Sequence, residues 1–122
     1  MCRVRLLTVA LSLLLSAFIA HAAEPTVKAI LENPSRYDGQ EVTISGKASS
    51  VKPTTSRKGN DYMTFQVTDS SGAVVTVFTW GHPTITSGSV VRVTGTFQRV
   101  KRVGRRTFYN QIDAGRVLPV SQ

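Results

Sequence analysis

Tyr62-Met63-Thr64-Phe65-Gln66-Val67-Thr68-Asp69-Ser70-Ser71-Gly72-Ala73-Val74-Val75-Thr76-Val77-Phe78-Thr79-Trp80 reads as two strands joined by a turn. Met63, Phe65 and Val67 alternate with Tyr62, Thr64 and Gln66, the period of two that a half-buried strand imposes. Asp69-Ser70-Ser71-Gly72 is a tight turn, with Asp69 capping the backbone ahead of Gly72. Val74 to Trp80 is dense in β-branched and aromatic residues, which suit a pleated surface. Val74-Val75 and Val77-Phe78 are adjacent apolar pairs, so alternation leaves open which member of each faces inward.

The same period extends on both sides of this hairpin. Upstream, Val42, Ile44, Gly46 and Ala48 alternate with Thr43, Ser45 and Lys47 to give a first strand. The glycine within it suggests a bend or bulge. Pro53 to Asn60 is a polar loop. Downstream, Gly81 to Gly88 is a short connection holding His82-Pro83, too short for a full helix. Val91, Val93, Gly95 and Phe97 alternate with Arg92, Thr94, Thr96 and Gln98 in a fourth strand, again with a glycine. Val103-Gly104-Arg105 is a basic turn, Thr107 to Ile112 a fifth strand, and Leu118-Pro119 ends the ordered chain. Ahead of the strands, Thr26 to Pro34 reads as a short helix. Val27, Ile30 and Leu31 share its face, Thr26 caps it and Pro34 stops it. Five short strands with strands four and five forming a second hairpin predict an all-β, five-stranded closed barrel with a short N-terminal helix.

The N-terminus carries a different pattern. Arg3 and Arg5 precede an uncharged apolar run from Leu6 to Ala20, and Ala20-His21-Ala22 places small residues where a signal peptidase reads them. The run is about 15 residues and includes Thr8, Ser12 and Ser16, whereas a membrane-spanning helix needs ~20 apolar residues. Residues 1–22 are therefore expected to be a cleavable signal peptide. Residues 23–122 are the mature domain, which carries no integral membrane span and is exported to a periplasm or secreted. Cys2 leaves with the signal, so neither a disulfide framework nor a thiolate zinc site is available to the mature chain.

The whole chain carries 15 Lys+Arg against 7 Asp+Glu. Without Arg3 and Arg5 the balance is 13 against 7, or +6 for the mature domain. Such a charge favours a polyanionic partner, and also serves solubility.

Four segments together resemble the OB-fold: Val42 to Lys47, Tyr62 to Asp69, Gly72 to Phe78 and Val91 to Phe97. Their order and spacing look like the anticodon-binding type found in tRNA synthetases and in polymerase and helicase accessory regions. Asn33-Pro34, Tyr37 and Gly39-Gln40 ahead of the first strand also resemble small exported bacterial OB-fold proteins. One such group includes the haem chaperone of cytochrome c maturation. That chaperone attaches haem through a histidine beyond its barrel. His82 is the one histidine after the signal here, so the haem role is not carried over.

OB-folds bind on the face of strands two and three, flanked by the loops after strands one and four. On that plan the first loop carries Lys52, Arg57 and Lys58. The last hairpin carries Arg99, Lys101, Arg102, Arg105 and Arg106, five cations within eight positions. Tyr62, Phe78, Trp80 and Tyr109 are candidates for an aromatic platform. The expected ligand is single-stranded nucleic acid or another polyanion, with phosphates on the basic rim and bases stacked on the rings. If all five hairpin cations met phosphates, the log–log salt slope would be about −3.5. Phe65, Phe97 and Phe108 are expected in the core, and Phe78 there in preference to a ligand face. Trp80 and Tyr109 suit either a buried edge or a platform, and the hairpin charges also discourage edge-to-edge pairing.

No catalytic machinery is expected. The mature chain lacks cysteine, His82 reads as a loop residue, and no serine lies in a nucleophile elbow. The acids are scattered without a close pair to divide acid and base roles, and no cofactor or metal is expected. The alternatives are a periplasmic OB-fold protein of the envelope-stress type that binds a protein, glycan or small cation, or a structural subunit of an exported assembly.

Overall fold

The computed structural model describes residues 24–120; the expected signal peptide lies outside them. Period-two patterning yields five strands: β1 (Glu41–Thr55), β2 (Asp61–Thr68), β3 (Val74–Trp80), β4 (Val90–Val103) and β5 (Arg106–Pro119). Their order is β1-β2-β3-β5-β4, and β4 pairs back onto β1, so the sheet closes into a barrel. All pairings are antiparallel except β3 with β5, which is parallel. Closure removes the free edges that would invite aggregation.

The inward side of each strand builds one core. Phe65, Val67, Val77, Val93, Phe97 and Ile112 are all fully buried there. Strand β3 settles the two ambiguous pairs: Val75 and Val77 face inward, while Val74 and Phe78 face out. Phe65 and Phe97 are in the core as expected, but Phe108 is only half-buried and Phe78 lies on the outer face.

Three strands run further than their sequence suggests. The alternation of β1 is interrupted at Ser50, whose φ is +50°, and its register with β2 shifts between Ser49 and Lys52. This bulge resets the ladder, and Lys52, Pro53, Thr54 and Thr55 pair with β2 instead of looping. Pairing with β4 covers only Glu41 to Lys47, so Pro53 lies on an edge, where its missing donor is tolerated. The loop contracts to residues 56–60. Strands β4 and β5 likewise continue past the barrel as a two-stranded arm from Val100↔Tyr109 to Val103↔Arg106.

Gly46 has a reason other than a bend. A Cβ there would lie 2.8 Å from Val67 Cγ1 and 2.9 Å from the Thr68 carbonyl carbon. The barrel wall is too close at this crossing for any side chain.

Thr26 caps helix α1 (Val27–Glu32), its Oγ1 accepting from Ala29 N at 3.1 Å. Val27 and Ile30 bury into the core, while Leu31 is only partly covered. Pro34 does more than stop α1. It begins a second short helix, α2 (Pro34–Tyr37), because a fixed φ and a missing N–H suit a first helical turn. Asp38 Oδ1 then accepts from Arg99 N at 2.9 Å, and Gly39 N donates to Phe97 O at 2.8 Å, which ties the helical segment to β4.

Asp69 caps its turn, Oδ1 accepting from Ser71 N at 2.9 Å and Ala73 N at 3.2 Å. Its Oδ2 accepts from Lys28 N at 3.2 Å, which joins the β2–β3 turn to the start of α1. Desolvation opposes the charge, but the Ser71 hydroxyl and the N–H groups of Lys28, Ser71 and Ala73 outweigh it and hold the carboxyl below its ordinary value of 3.8. A carboxyl lowered in the folded state stabilises the fold above its ordinary value. That stabilisation fades as pH falls through the lowered one. Asp69→Asn is therefore expected to lower Tm by a few degrees at pH 7, with the two melting curves converging as the pH approaches 2. Thermal melts across pH 2–7 check this, and a constant gap down to pH 2 would refute the charge as its cause.

Candidate functional site

Outward alternation on β2 and β3 places Tyr62, Thr64, Phe78 and Trp80 side by side on the barrel surface. Phe78 stacks on Tyr62 with ring centroids 5.4 Å apart and meets Trp80 edge-on at 5.1 Å. Trp80 is 64% exposed, so the cluster keeps an open aromatic face. Such pairs contribute ~0.5–1.5 kcal/mol beyond area burial, which fixes the ring orientations before any ligand arrives.

The β4–β5 arm forms the opposite wall. Lys101, Val103, Arg106 and Phe108 line a hollow of about 510 Å³ together with the aromatic cluster and Gln111 at its base. That volume lies within the ~300–1,000 Å³ range of small-molecule sites. Lys101 fastens the arm down: its Nζ is 2.7 Å from Asp113 Oδ1 and 4.1 Å from the Phe78 ring centroid. Gln98 Nε2 donates to the other Asp113 oxygen at 2.7 Å.

Two smaller hollows extend the site. One, of about 170 Å³, is lined by Ser50, Lys52, Thr64, Gln66 and Thr76. The other, of about 460 Å³, is lined by Gly59, Asn60, Asp61, Trp80 and Gly81. The first shares Lys52 and Thr64 with the central hollow, and the second shares Trp80. The outer face of β2 and β3 is thus one continuous trough. At its Trp80 end, His82 Nε2 lies 3.0 Å from Thr54 O, and its Nδ1 is 3.8 Å from Asp61 Oδ2.

Of the residues singled out from sequence, Tyr62, Trp80, Lys101 and Arg106 meet in the trough. Arg57 and Lys58 are exposed in the turn beside Gly59 and Asn60, at the Trp80 end. Arg105 is exposed at the tip of the arm. Arg102 and Tyr109 pair with Thr107 and Val100, the positions that alternate with the trough-lining ones, so they lie on the arm's other face; Tyr109 is 70% exposed. Arg99 is turned toward the helical segment, its Nη1 donating to Ser35 Oγ at 3.1 Å. Phe78 and Phe108, expected in the core, line the trough instead. Lys52 reaches it from a strand where a loop was expected. Gln111 carried no sequence signal beyond its place in the fifth strand.

Among the described residues, no group of three or more His, Cys, Asp or Glu side chains is placed to hold a metal. No helix among them is long and apolar enough to cross a membrane.

No protein-family model matches the chain, and no curated protein matches it. Solved structures do. The chain is similar to one in the crystal structure of yeast Stn1 and Ten1, with a TM-score of 0.65 and 13% identity, over 86% of this chain and 66% of that one. It is also similar to a protein described as an aspartyl-tRNA synthetase from Leishmania major Friedlin, with a TM-score of 0.61 and 15% identity. There the match covers 88% of this chain and 22% of the synthetase. The chain therefore spans just under two thirds of the first structure's length and about a fifth of the second. At these identities the likeness is one of fold, and the closed five-stranded barrel is an OB-fold.

Proposed function

We propose that this OB-fold is a non-catalytic binding module for single-stranded nucleic acid, carried out of the cytoplasm by its N-terminal signal. One observation carries the reading: three mutually packed rings, Tyr62, Phe78 and Trp80, share a trough with Lys52, Lys101 and Arg106. Aromatic faces accept unpaired bases of any sequence, and cations along the rim follow the phosphates. The likeness to a synthetase that by its name handles tRNA agrees with that use of the fold. The export half of the reading rests on Arg3, Arg5, the apolar run and Ala20-His21-Ala22. Mass spectrometry of the exported product should give a chain beginning at Ala23, and an intact Met1 terminus would overturn it.

The cations do not contribute equally. Lys101 is paired with Asp113, and Arg99 is turned away from the trough toward Ser35. Among the described residues, neither Lys52 nor Arg106 forms an ion pair, so both are available to phosphates. Each phosphate contact on a single strand contributes about −0.7 to the slope of log K against log salt. Changing Lys52 and Arg106 together to alanine should flatten that slope by about 1.4. Fluorescence titration of a labelled oligonucleotide at several salt concentrations measures it. An unchanged slope would remove these two residues from the phosphate path. No binding by the parent protein even at low salt would turn the trough over to a protein or glycan ligand.

A further inference from the structure

Gln111 sits on the outer face of β5, opposite Thr76 of β3 and Gln98 of β4, at the floor of the central hollow. It is 4% exposed, and its Oε1 has no hydrogen-bond partner. Buried polar atoms are almost always paired, because leaving one unpaired forfeits its hydration with nothing in return. The neighbour two residues on from Gln111, Asp113, offers it no donor: that carboxylate itself accepts from Gln98 Nε2 and Lys101 Nζ, each at 2.7 Å. Gln111 lines the hollow together with Tyr62, Phe78 and Phe108, where a flat aromatic ligand would be held, and its buried oxygen reaches such a ligand once the amide turns outward.

We propose that the Gln111 amide turns into the central hollow to read the pairing edge of one nucleobase held there, with a base N–H donating to Oε1. The inference rests on the nucleic-acid reading above and sharpens it. Each of the four bases carries an N–H next to an acceptor on its Watson–Crick edge, which is the complement of a carboxamide. In a duplex that edge is occupied by the partner base. The amide therefore makes the trough selective for unpaired bases, beyond the general preference that stacking and charge provide.

The test uses a short thymidine oligomer and the same oligomer built from N3-methylthymidine, which keeps the ring for stacking but loses the N–H. The full-length protein is compared with Gln111→Met, which keeps the side chain's length and removes its polar atoms. The parent protein should bind the methylated strand ~5- to 100-fold more weakly, the discrimination one base-edge pairing supplies. Gln111→Met should bind both strands alike, at the weaker affinity. Its Tm should equal or exceed the parent's by several degrees, because the variant relieves an orphan. This gain in stability separates lost recognition from lost folding. Equal binding of both strands by the parent, or parental discrimination retained in Gln111→Met, would overturn the role of Gln111 and leave the nucleic-acid reading standing. If the parent binds neither strand at low salt, the nucleic-acid reading fails and the inference falls with it.

Discussion

Replacing Phe78 and Trp80 together by alanine should weaken single-stranded oligonucleotide binding by about two orders of magnitude or more while leaving the barrel folded. Each base–aromatic stack contributes ~1–3 kcal/mol by alanine substitution, which is ~5- to 150-fold in affinity. The two rings touch at 5.1 Å, so their losses will not simply add. Folding should survive because Trp80 is 64% exposed and Phe78 stands on the outer face, away from the core of Phe65, Val67 and Val77. The arm loses the Phe78 ring beneath Lys101 but keeps the Lys101–Asp113 pair. Trp80→Phe should restore most of the single-site loss, since a phenyl face still stacks. Trp80 is the chain's one tryptophan, so its fluorescence reports on this trough alone. Stacking should quench it as oligonucleotide is added. Parental affinity in the double variant would sink the trough as the binding face.

The strands that build this site were legible to different degrees, and the reason is local geometry. Val74 to Trp80 was read with its bounds intact because its propensity is uniform and its ends carry turn residues. The outward position of Phe78 was not legible, since Val77-Phe78 satisfies the pattern in either parity and only pairing with β2 decides it. The reach of β1 was hidden by Ser50, a non-glycine residue with a left-handed φ that no turn motif announces. Phe108 was misplaced for a related reason. It shares parity with buried Ile112, so regular alternation puts both inside. Asn110 breaks that regularity with a left-handed φ of +53°, while β4 and β5 stay in register. The face that is interior in the barrel becomes the trough wall in the arm, and Lys101 follows Phe108 onto it. Composition flagged the arm as a basic cluster, but it could not show that Arg99 turns toward Ser35 or that Lys101 pairs with Asp113. An orphan such as Gln111 can only be recognised once its neighbours' hydrogen bonds are known.

Gly95→Ala should be the most damaging single-methyl change in the chain, and it tests how barrel and trough are joined. A Cβ at Gly95 would stand 2.6 Å from Ala114 Cα and 2.8 Å from the Asp113 carbonyl carbon. These are backbone atoms of the neighbouring strand, so no side chain can rotate away and β4 and β5 must part. The β4–β5 register already shifts between Thr94 and Gly95, and the crossing has no slack. Forcing extra atoms into close packing costs typically 1–3 kcal/mol, and a backbone clash belongs at or above the top of that range. At ~4–8 °C of Tm per kcal/mol for a domain of this size, a fall of about 12 °C or more is expected by circular dichroism. Gly115→Ala is the control, because a Cβ there meets nothing within 4 Å; its Tm should stay within a few degrees of the parent's. Asp113 links this clash to the binding face. Its backbone meets Gly95, while its carboxylate holds Gln98 and Lys101. Moving that backbone lifts the arm away from Phe78. Even at a temperature where Gly95→Ala remains folded, it should therefore bind oligonucleotide more weakly than Gly115→Ala does. Equal melting of the two variants would show that the crossing can relax. Equal binding despite unequal melting would show that the arm holds its place without the close approach of β4 and β5 beneath it.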